Sequence, residues 1–403
     1  MSGAMVPQLR FPGFAEGWPI EPLGPRTTKV GSGVTPKGGA ASYLSEGIPL
    51  IRSQNVRDGR LELDDVAYIA EATHARMSGT HVMPDDILLN ITGASIGRSC
   101  IVPDHVGPAN VNQHVCIIRL DAKDSPAFIQ QYLASPRGQK QIDDLQGGSG
   151  REGLNFENIR SFRIPFPLLA EQQKIADFLG TVDAKLDALR RKKSGLEAFK
   201  SGLMQRLFSQ ELRFTRDNGT EFPEWNQVSF AEIAERSSDK LDPRNVHEGM
   251  PVIDLENIES GTGRIIHAGQ SDESASLKSV FRTGEVLFGK LRPYLRKFAQ
   301  PDFEGCCSSE IWVLRGKRVS NDFLFHLIQS SRFMELATIS SGSKMPRADW
   351  SIISSAEFDV PHPDEQRKIA DALSAMDAKI AAVANQITHM ETFKKGLLQQ
   401  MFV

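Results

Sequence analysis

Residues 171–208 read EQQKIADFLGTVDAKLDALRRKKSGLEAFKSGLMQRLF, and residues 365–402 read EQRKIADALSAMDAKIAAVANQITHMETFKKGLLQQMF. The stretches align without a gap at an offset of 194, with 18 of 38 positions identical, which marks an internal repeat. Each reads as one long helix. Ile175, Val182, Leu189, Leu196 and Leu203 recur every seventh residue, and Ile369, Met376, Val383, Met390 and Leu397 recur in the same phase. Leu179, Leu186 and Leu207 fill intervening d-type positions in the first copy, and Leu373, Ile380, Ile387 and Met401 in the second. Five heptads of apolar a and d positions predict coiled-coil helices. At ~1.5 Å per residue each is on the order of 55 Å long. Lys193, Lys200 and Lys394 interrupt the d series, as residues that fix register at some cost in stability do. A helix with one apolar stripe needs a partner. Stripes matched in length and phase predict that the helices pair with each other, antiparallel; docking of each on its own globule is the competing arrangement.

The repeat extends outward from the helices. The segments ahead of them start near Trp18 and Trp225 and carry Gly47-Ile48-Pro49-Leu50-Ile51 and Gly249-Met250-Pro251-Val252-Ile253. An acidic-apolar strand follows in each, Asp86-Ile87-Leu88-Leu89 or Glu285-Val286-Leu287-Phe288, running into a loop. Both segments end in a short helical stretch around Phe128 or Phe323, a Gly/Ser loop (residues 147–150 and 341–343) and a Pro-bounded strand, Ile164–Pro167 or Phe358–Pro361. Short apolar runs such as Val115–Leu120 and Ile311–Leu314, read as alternating, predict strands between dense Gly and Pro turns. The expected fold is α+β: a globule over 1–168, a long helix over 169–210, a second globule over 211–363 and a second helix over 364–403.

Composition narrows the class. Of 403 residues, 40% are hydrophobic and 24% charged, the balance of a globular protein of two or three domains. No stretch approaches the ~18 apolar residues of a membrane span, and MSGAMVPQLRFPGF lacks a secretory pattern, so a cytoplasmic protein without membrane association is expected. Cys100, Cys116, Cys306 and Cys307 have no metal-ligand spacing and read as small buried hydrophobes; the adjacent pair Cys306-Cys307 has no explanation at this level.

The two Pro-x-x-x-Glu-Gln-x-Lys-Ile-Ala helix starts, Pro167–Ala176 and Pro361–Ala370, belong with Gly31-Ser32-Gly33-Val34-Thr35-Pro36-Lys37, the two Gly-x-Pro segments and Asn90-Ile91-Thr92-Gly93-Ala94-Ser95-Ile96-Gly97. In these elements and their order, over nearly the whole chain, the sequence resembles the DNA-specificity subunit of type I restriction-modification enzymes. No single motif carries the resemblance; the duplicated architecture does. It implies two target-recognition domains, each reading one half of a split site in double-stranded DNA, with the helices as spacer. It also implies two methyltransferase subunits and restriction/translocase subunits docked around the chain. S-adenosylmethionine and ATP/Mg are then expected on those partners and no cofactor or metal on this chain. The second globule departs from the first: Ser237–Pro243 stands where Gly-Val-Thr-Pro is expected, and Gly289-Lys290-Leu291-Arg292-Pro293-Tyr294 replaces the loop at Thr92–Ser95. Divergent loops on similar helices fit halves that read different sequences.

Charge maps onto this organisation. The net charge is −3: −1 over 1–170, +3 over 171–213, −6 over 214–364 and +1 over 365–403. Globules of this balance are not basic overall, which counts against indiscriminate DNA binding. Between Lys278 and Lys297 lie Lys278, Arg282, Lys290, Arg292, Arg296 and Lys297 against one acid, Glu285, with Tyr294 and Phe298 interleaved. A basic Gly-Pro loop suits phosphate contact, so Lys290, Arg292, Tyr294 and Lys297 are candidate DNA-binding residues. The first globule offers Lys37, Arg52, Gln54, Asn55, Thr92, Ser95 and Arg98, polar groups among which Arg, Gln and Asn suit bidentate contacts to base edges. Arg151, Lys344 and Arg347 flank the Gly/Ser loops, where backbone can approach phosphate. A solvated surface is the plain alternative for each, and for Arg190–Lys193 on the first helix. There is no P-loop, no Gly-rich methyltransferase loop with an Asn/Asp-Pro-Pro-aromatic set, and no nucleophile-base pair. A non-catalytic DNA-recognition scaffold is the expected function. Its rivals are a coiled-coil protein-interaction adaptor without DNA readout, which the basic-aromatic run 290–298 disfavours, and a nuclease subunit.

Overall fold

The computed structural model describes residues 5–36, 38–146, 153–242, 250–270, 277–339 and 345–402. The chain forms two compact units: Met1–Arg191 with Ala384–Val403, and Lys192–Val383. Each unit therefore contains one globule, half of the first long helix (Leu169–Phe208) and half of the second (Pro363–Met401).

The globules share one plan. In unit 1 an antiparallel sheet runs in the order Thr27–Ser32, Val115–Leu120, Ile87–Asn90, Ser99–Ile101. In unit 2 Ala234–Arg236, Ile311–Gly316, Val286–Gly289 and Phe298–Ala299 repeat that order. The central strands are buried on both faces, which is why they read as nearly continuous apolar runs instead of a clean alternation. Ile87, Leu89, Cys116 and Ile118 pack on the helical side, and Leu88, Val115 and Ile117 on the other. Val286, Phe288, Trp312 and Leu314 divide from Leu287, Ile311 and Val313 in the same way. The Gly-x-Pro segments form edge-on partners: Ile48–Ile51 pairs in parallel with Asn110–Val111, and Pro251–Ile253 with Gly305–Cys307. The adjacent cysteines lie on the strand Gly305–Cys307, where a Cβ on Gly305 would meet Pro251 O at 2.5 Å; nothing in the structure explains why both positions are cysteine. All four cysteines are free and buried, and burial pushes the Cys100, Cys116 and Cys307 thiols up to about 12.

The acid that opens each central strand is a buried ion-pair partner. Asp86 accepts two 2.7 Å bonds from Arg119, and Arg315 donates to Glu285. Each long helix begins in a second repeated anchor. Glu171, 1% exposed, accepts Arg10 Nε and Nη2 at 2.7 and 2.9 Å and the Trp18 indole at 3.1 Å. Glu365, fully buried, accepts Arg213 at 3.2 and 2.9 Å and the Trp225 indole at 3.1 Å. Gln172 and Gln366 donate back to the Pro167 and Pro361 carbonyls at 2.9 and 3.0 Å. The Glu-Gln pair is thus the device that turns the Pro-bounded strand into the helix.

The helices pair antiparallel within each unit. In unit 1 Asp183 bonds Lys394 at 2.7 and 2.9 Å and Arg190 bonds Glu391 at 2.6 Å, so partner numbers fall as residue numbers rise. In unit 2 Lys200 meets Asp377 at 2.6 Å, and Leu207 shares a core with Ile369, Ala370 and Leu373. Ile175, Val182, Leu189, Ile369, Met376, Val383 and Leu397 are buried, and Leu196, Leu203 and Met390 half-buried. Mutual pairing and docking on a globule are not alternatives here. Unit 1's core takes Ile175, Leu179 and Val182 from the first helix and Leu397, Leu398, Met401 and Phe402 from the second. Among the described residues, no helix is long and apolar enough to cross a membrane.

Candidate nucleic-acid interface

In each unit the loop after the central strand lies against the turn after the Gly-x-Pro strand. In unit 1 Asn90, fully buried, joins them, donating to Ser53 O at 2.8 Å and Ser95 Oγ at 3.1 Å. In unit 2 Lys297 makes the same link, with Nζ at 2.6 Å from Leu255 O and 2.9 Å from Ile258 O. The turns themselves are built alike: the Arg52 amide bonds Asn55 Oδ1, and the Asp254 amide bonds Asn257 Oδ1.

Strand register aligns the two loops residue by residue, Ile91–Arg98 with Lys290–Lys297. Gly93 and Gly97 sit at φ 75° and 87°, and the equivalent residues Arg292 and Arg296 at 50° and 51°. Left-handed backbone costs a non-glycine residue roughly 1–2 kcal/mol. Unit 2 bears that strain twice, held by surrounding bonds: Arg292 N to Pro346 O at 2.8 Å, Ala348 N to Lys290 O at 2.8 Å, and Arg296 Nη2 to Gln329 O at 2.9 Å. Strain of this kind concentrates where a side chain has to be presented. Arg292 is exposed with no side-chain hydrogen bond or ion pair among the described residues, and Tyr294 is 56% exposed beside it.

Several expectations need correction. Lys297 is half-buried and turned inward, its Nζ engaged by two backbone carbonyls instead of standing free on the loop surface. Asn55 is 2% exposed, and its side chain is spent on Arg52 N, Glu62 O and Asp65 O, so it reads no base. The run 278–297 is not one basic face: Lys278 is buried near Asp254 at 3.5 Å, and Arg296 caps Gln329. The remaining candidates are at or near the surface. Arg52 lies over Tyr43 and donates to Asp65 O, and Gln54 donates to the Asp65 carboxylate at 2.7 Å. Thr92 bonds the His114 ring at 2.6 Å, Ser95 accepts from Asn90, and Arg98 stands 3.9 Å from Asp58. Arg347 forms a bidentate, exposed pair with Glu310 at 3.0 and 3.1 Å. Lys37, Arg151 and Lys344 lie outside the described residues, as do both Gly/Ser loops.

The family model for the type I restriction modification DNA specificity domain matches the chain twice, over residues 42–198 and 224–391. The chain belongs to this DNA-specificity family. It is similar to the type I restriction enzyme StySPI specificity subunit of Salmonella potsdam, 21% identical over 418 residues, which span 96% of this chain and 89% of that one. Its fold is that of the type I restriction-modification S subunit from M. genitalium, with a TM-score of 0.60, 14% identity and 99% of both chains covered. A chain from a solved structure on complex assembly of the type I R-M system matches at a TM-score of 0.52 with 15% identity, covering 96% of this chain and 98% of that one.

Within the two specificity domains, sequence reasoning missed residues that only the register exposes. His114 and Gln113 in the first domain join Thr92 and Thr35 in one hydrogen-bonded chain at the loop. In the second, Arg236 and Lys240, from two other strands, line one recess with Lys290. A cavity of about 560 Å³ in unit 1, around Arg10, Glu171, Arg26 and Asp124, is larger, but those charges are already paired with one another. It belongs to the helix anchor.

Proposed function

We propose that this chain is the non-catalytic, sequence-specific DNA-binding subunit of a type I restriction-modification complex, with each specificity domain reading one half of a bipartite site. The observation that carries this reading is the pairing of one frame with two loop chemistries. The family's DNA-specificity domain occurs twice, and around the equivalent loop one copy presents uncharged donors and acceptors (Thr92, Gln113, His114) while the other presents Lys290 and Arg292. Uncharged hydrogen-bonding groups suit base edges, and cations suit guanine or phosphate. Methyl transfer and cleavage, with S-adenosylmethionine and ATP/Mg, then reside on partner subunits. Two copies of one methyltransferase subunit are supported by a pair of exposed aromatics at repeat-equivalent helix positions, Phe199 at 61% and Phe393 at 52%. Replacing residues 15–165 with the corresponding domain of a relative tests the reading. Modification mapping in a host carrying the methyltransferase should show one half-site changed and the other kept. A swap that alters both halves, or neither, refutes modular readout, and a chain that never shifts DNA returns the choice to a protein-interaction adaptor.

A further inference from the structure

A recess of about 290 Å³ in unit 2 is walled by residues 236–238 and Lys240, by Lys290 at the start of the strained loop, and by Ile311, Trp312 and Val313 of the strand Ile311–Gly316. Arg236, Lys240 and Lys290 line it together with four serines, and no aspartate or glutamate does. This concentration runs against its surroundings, since residues 214–364 carry a net charge of −6. Three like charges around one recess repel one another unless an anion joins them.

Each cation is held in a way that leaves it available. The Arg236 guanidinium carbon lies 5.3 Å from the Trp350 ring centroid and 5.9 Å from that of Trp312, cation–π contacts that use none of its N–H groups. Lys240 Nζ rests on Ser279 Oγ at 2.8 Å. Lys290 is locked at the backbone, its N on Glu310 O at 2.9 Å and its O on Ala348 N at 2.8 Å. Its Nζ has no hydrogen bond or ion pair among the described residues.

The fold does not require this charge. Register places Val30 of unit 1 at the position of Arg236, Ile91 at that of Lys290 and Cys116 at that of Trp312. Those three side chains are buried hydrophobes, 8%, 5% and 0% exposed. The same frame thus closes this spot with a core in one copy and opens a cationic recess in the other.

We propose that the recess binds a phosphodiester of a nucleic-acid backbone, seating the strand so that Arg292, two residues beyond Lys290, meets the groove. Cations with hydroxyl donors and no competing carboxylate suit a phosphate oxyanion, and the space exceeds what an isolated oxyanion fills. The inference rests on the reading of unit 2 as DNA-reading. The test uses the full chain, a mixed-sequence duplex and inorganic phosphate at constant ionic strength, with tryptophan fluorescence from beneath Arg236 and duplex affinity as readouts. Arg236→Gln/Lys240→Gln/Lys290→Gln is compared with an exposed control of equal charge loss, Arg332→Gln/Lys379→Gln/Lys395→Gln. Circular dichroism checks the fold. Lys290→Gln alone, which removes no internal bond, decides the matter should the triple variant not fold. The log–log salt slope for the duplex should flatten by about 0.9 for the lost phosphate, the control should keep the parent slope, and the phosphate-induced fluorescence change should vanish in the triple variant. An unchanged slope in both Lys290→Gln and the triple overturns the proposal. So does saturation by inorganic phosphate with no change in duplex slope, which would make the recess a site for a free anion. A parent chain that binds no duplex at any salt overturns the DNA reading itself, and the proposal with it.

Discussion

Arg292 and Arg296 hold backbone positions that the other copy of the domain gives to Gly93 and Gly97. An arginine in left-handed backbone is retained at a cost, and only one of the pair has an evident structural use, since Arg296 bonds Gln329 O. The Arg292 side chain has no hydrogen bond or ion pair among the described residues, and it is the position at which the proposed DNA contact is tested. This separates two substitutions that look alike. Arg292→Ala keeps the strain and loses the side chain; Arg292→Gly loses both. Arg292→Gly is expected to be more stable than Arg292→Ala by about 1 kcal/mol in urea unfolding, with cognate DNA binding lost equally in both. Equal stabilities would show that the loop relaxes and stores no strain. The anchors show the opposite economy at this scale. Glu171 and Glu365 were visible as a repeated Glu-Gln, but sequence reading did not single out Arg10 and Arg213, which lie 161 and 152 residues from the glutamates they bond. Nothing local in the sequence joins them.

At the scale of the element, the lysines that interrupt the d series have found acids. Lys200 pairs with Asp377 in unit 2 and Lys394 with Asp183 in unit 1, the same two repeat positions used in each direction. An antiparallel pairing of a repeat with itself produces such reciprocity, because each residue faces the other's equivalent. The pairs also define register: a shift of one heptad would bury an amine and a carboxylate apart from each other. Asp377 shows the tension, since burial pushes its carboxyl up while Lys200 pulls it down, and Oδ2 is buried with no hydrogen-bond partner among the described residues. Asp377→Lys should therefore destabilise by on the order of 2–4 kcal/mol through two unpaired buried amines. Adding Lys200→Asp should restore most of it. Urea unfolding of the single and double variants measures this, and a double variant no better than the single would mean that apolar packing alone sets the register. Lys193, by contrast, has its ion pair among the described residues with Glu197 on its own helix, which does nothing to fix register.

At the scale of the whole molecule, the duplication makes a statement about partners. The globules have diverged at their loops, while the helices keep 18 of 38 positions and place an exposed phenylalanine at the same repeat position, Phe199 and Phe393. Surfaces kept alike in two otherwise divergent halves suit two copies of one partner. With its methyltransferase subunit, the parent chain should give a complex with two copies in native mass spectrometry. Phe199→Ser and Phe393→Ser should each leave one copy, and the double variant none. Loss of both copies from either single variant would point to one shared site.

The sequence by itself determined the duplicated order of elements, the two long helices and the central strands. Their signals are local: a seven-residue period, apolar runs bounded by turns, and one repeat compared with another. It also showed which loops differ between the halves. Only the tertiary structure decided which polar side chains in those loops are free. Lys297 looks like Lys290 in sequence, but the Leu255 and Ile258 carbonyls claim it; Asn55, unlike its exposed neighbour Gln54, is buried on Arg52 N and the Glu62 and Asp65 carbonyls. Arg236 and Lys240 carry no signal of their own, and join Lys290 only because two sheets bring segments about 50 residues apart to one recess. The physical reason is that apolar burial is written along each strand and helix as a period, whereas the fate of a charge depends on whichever partner the fold brings near it.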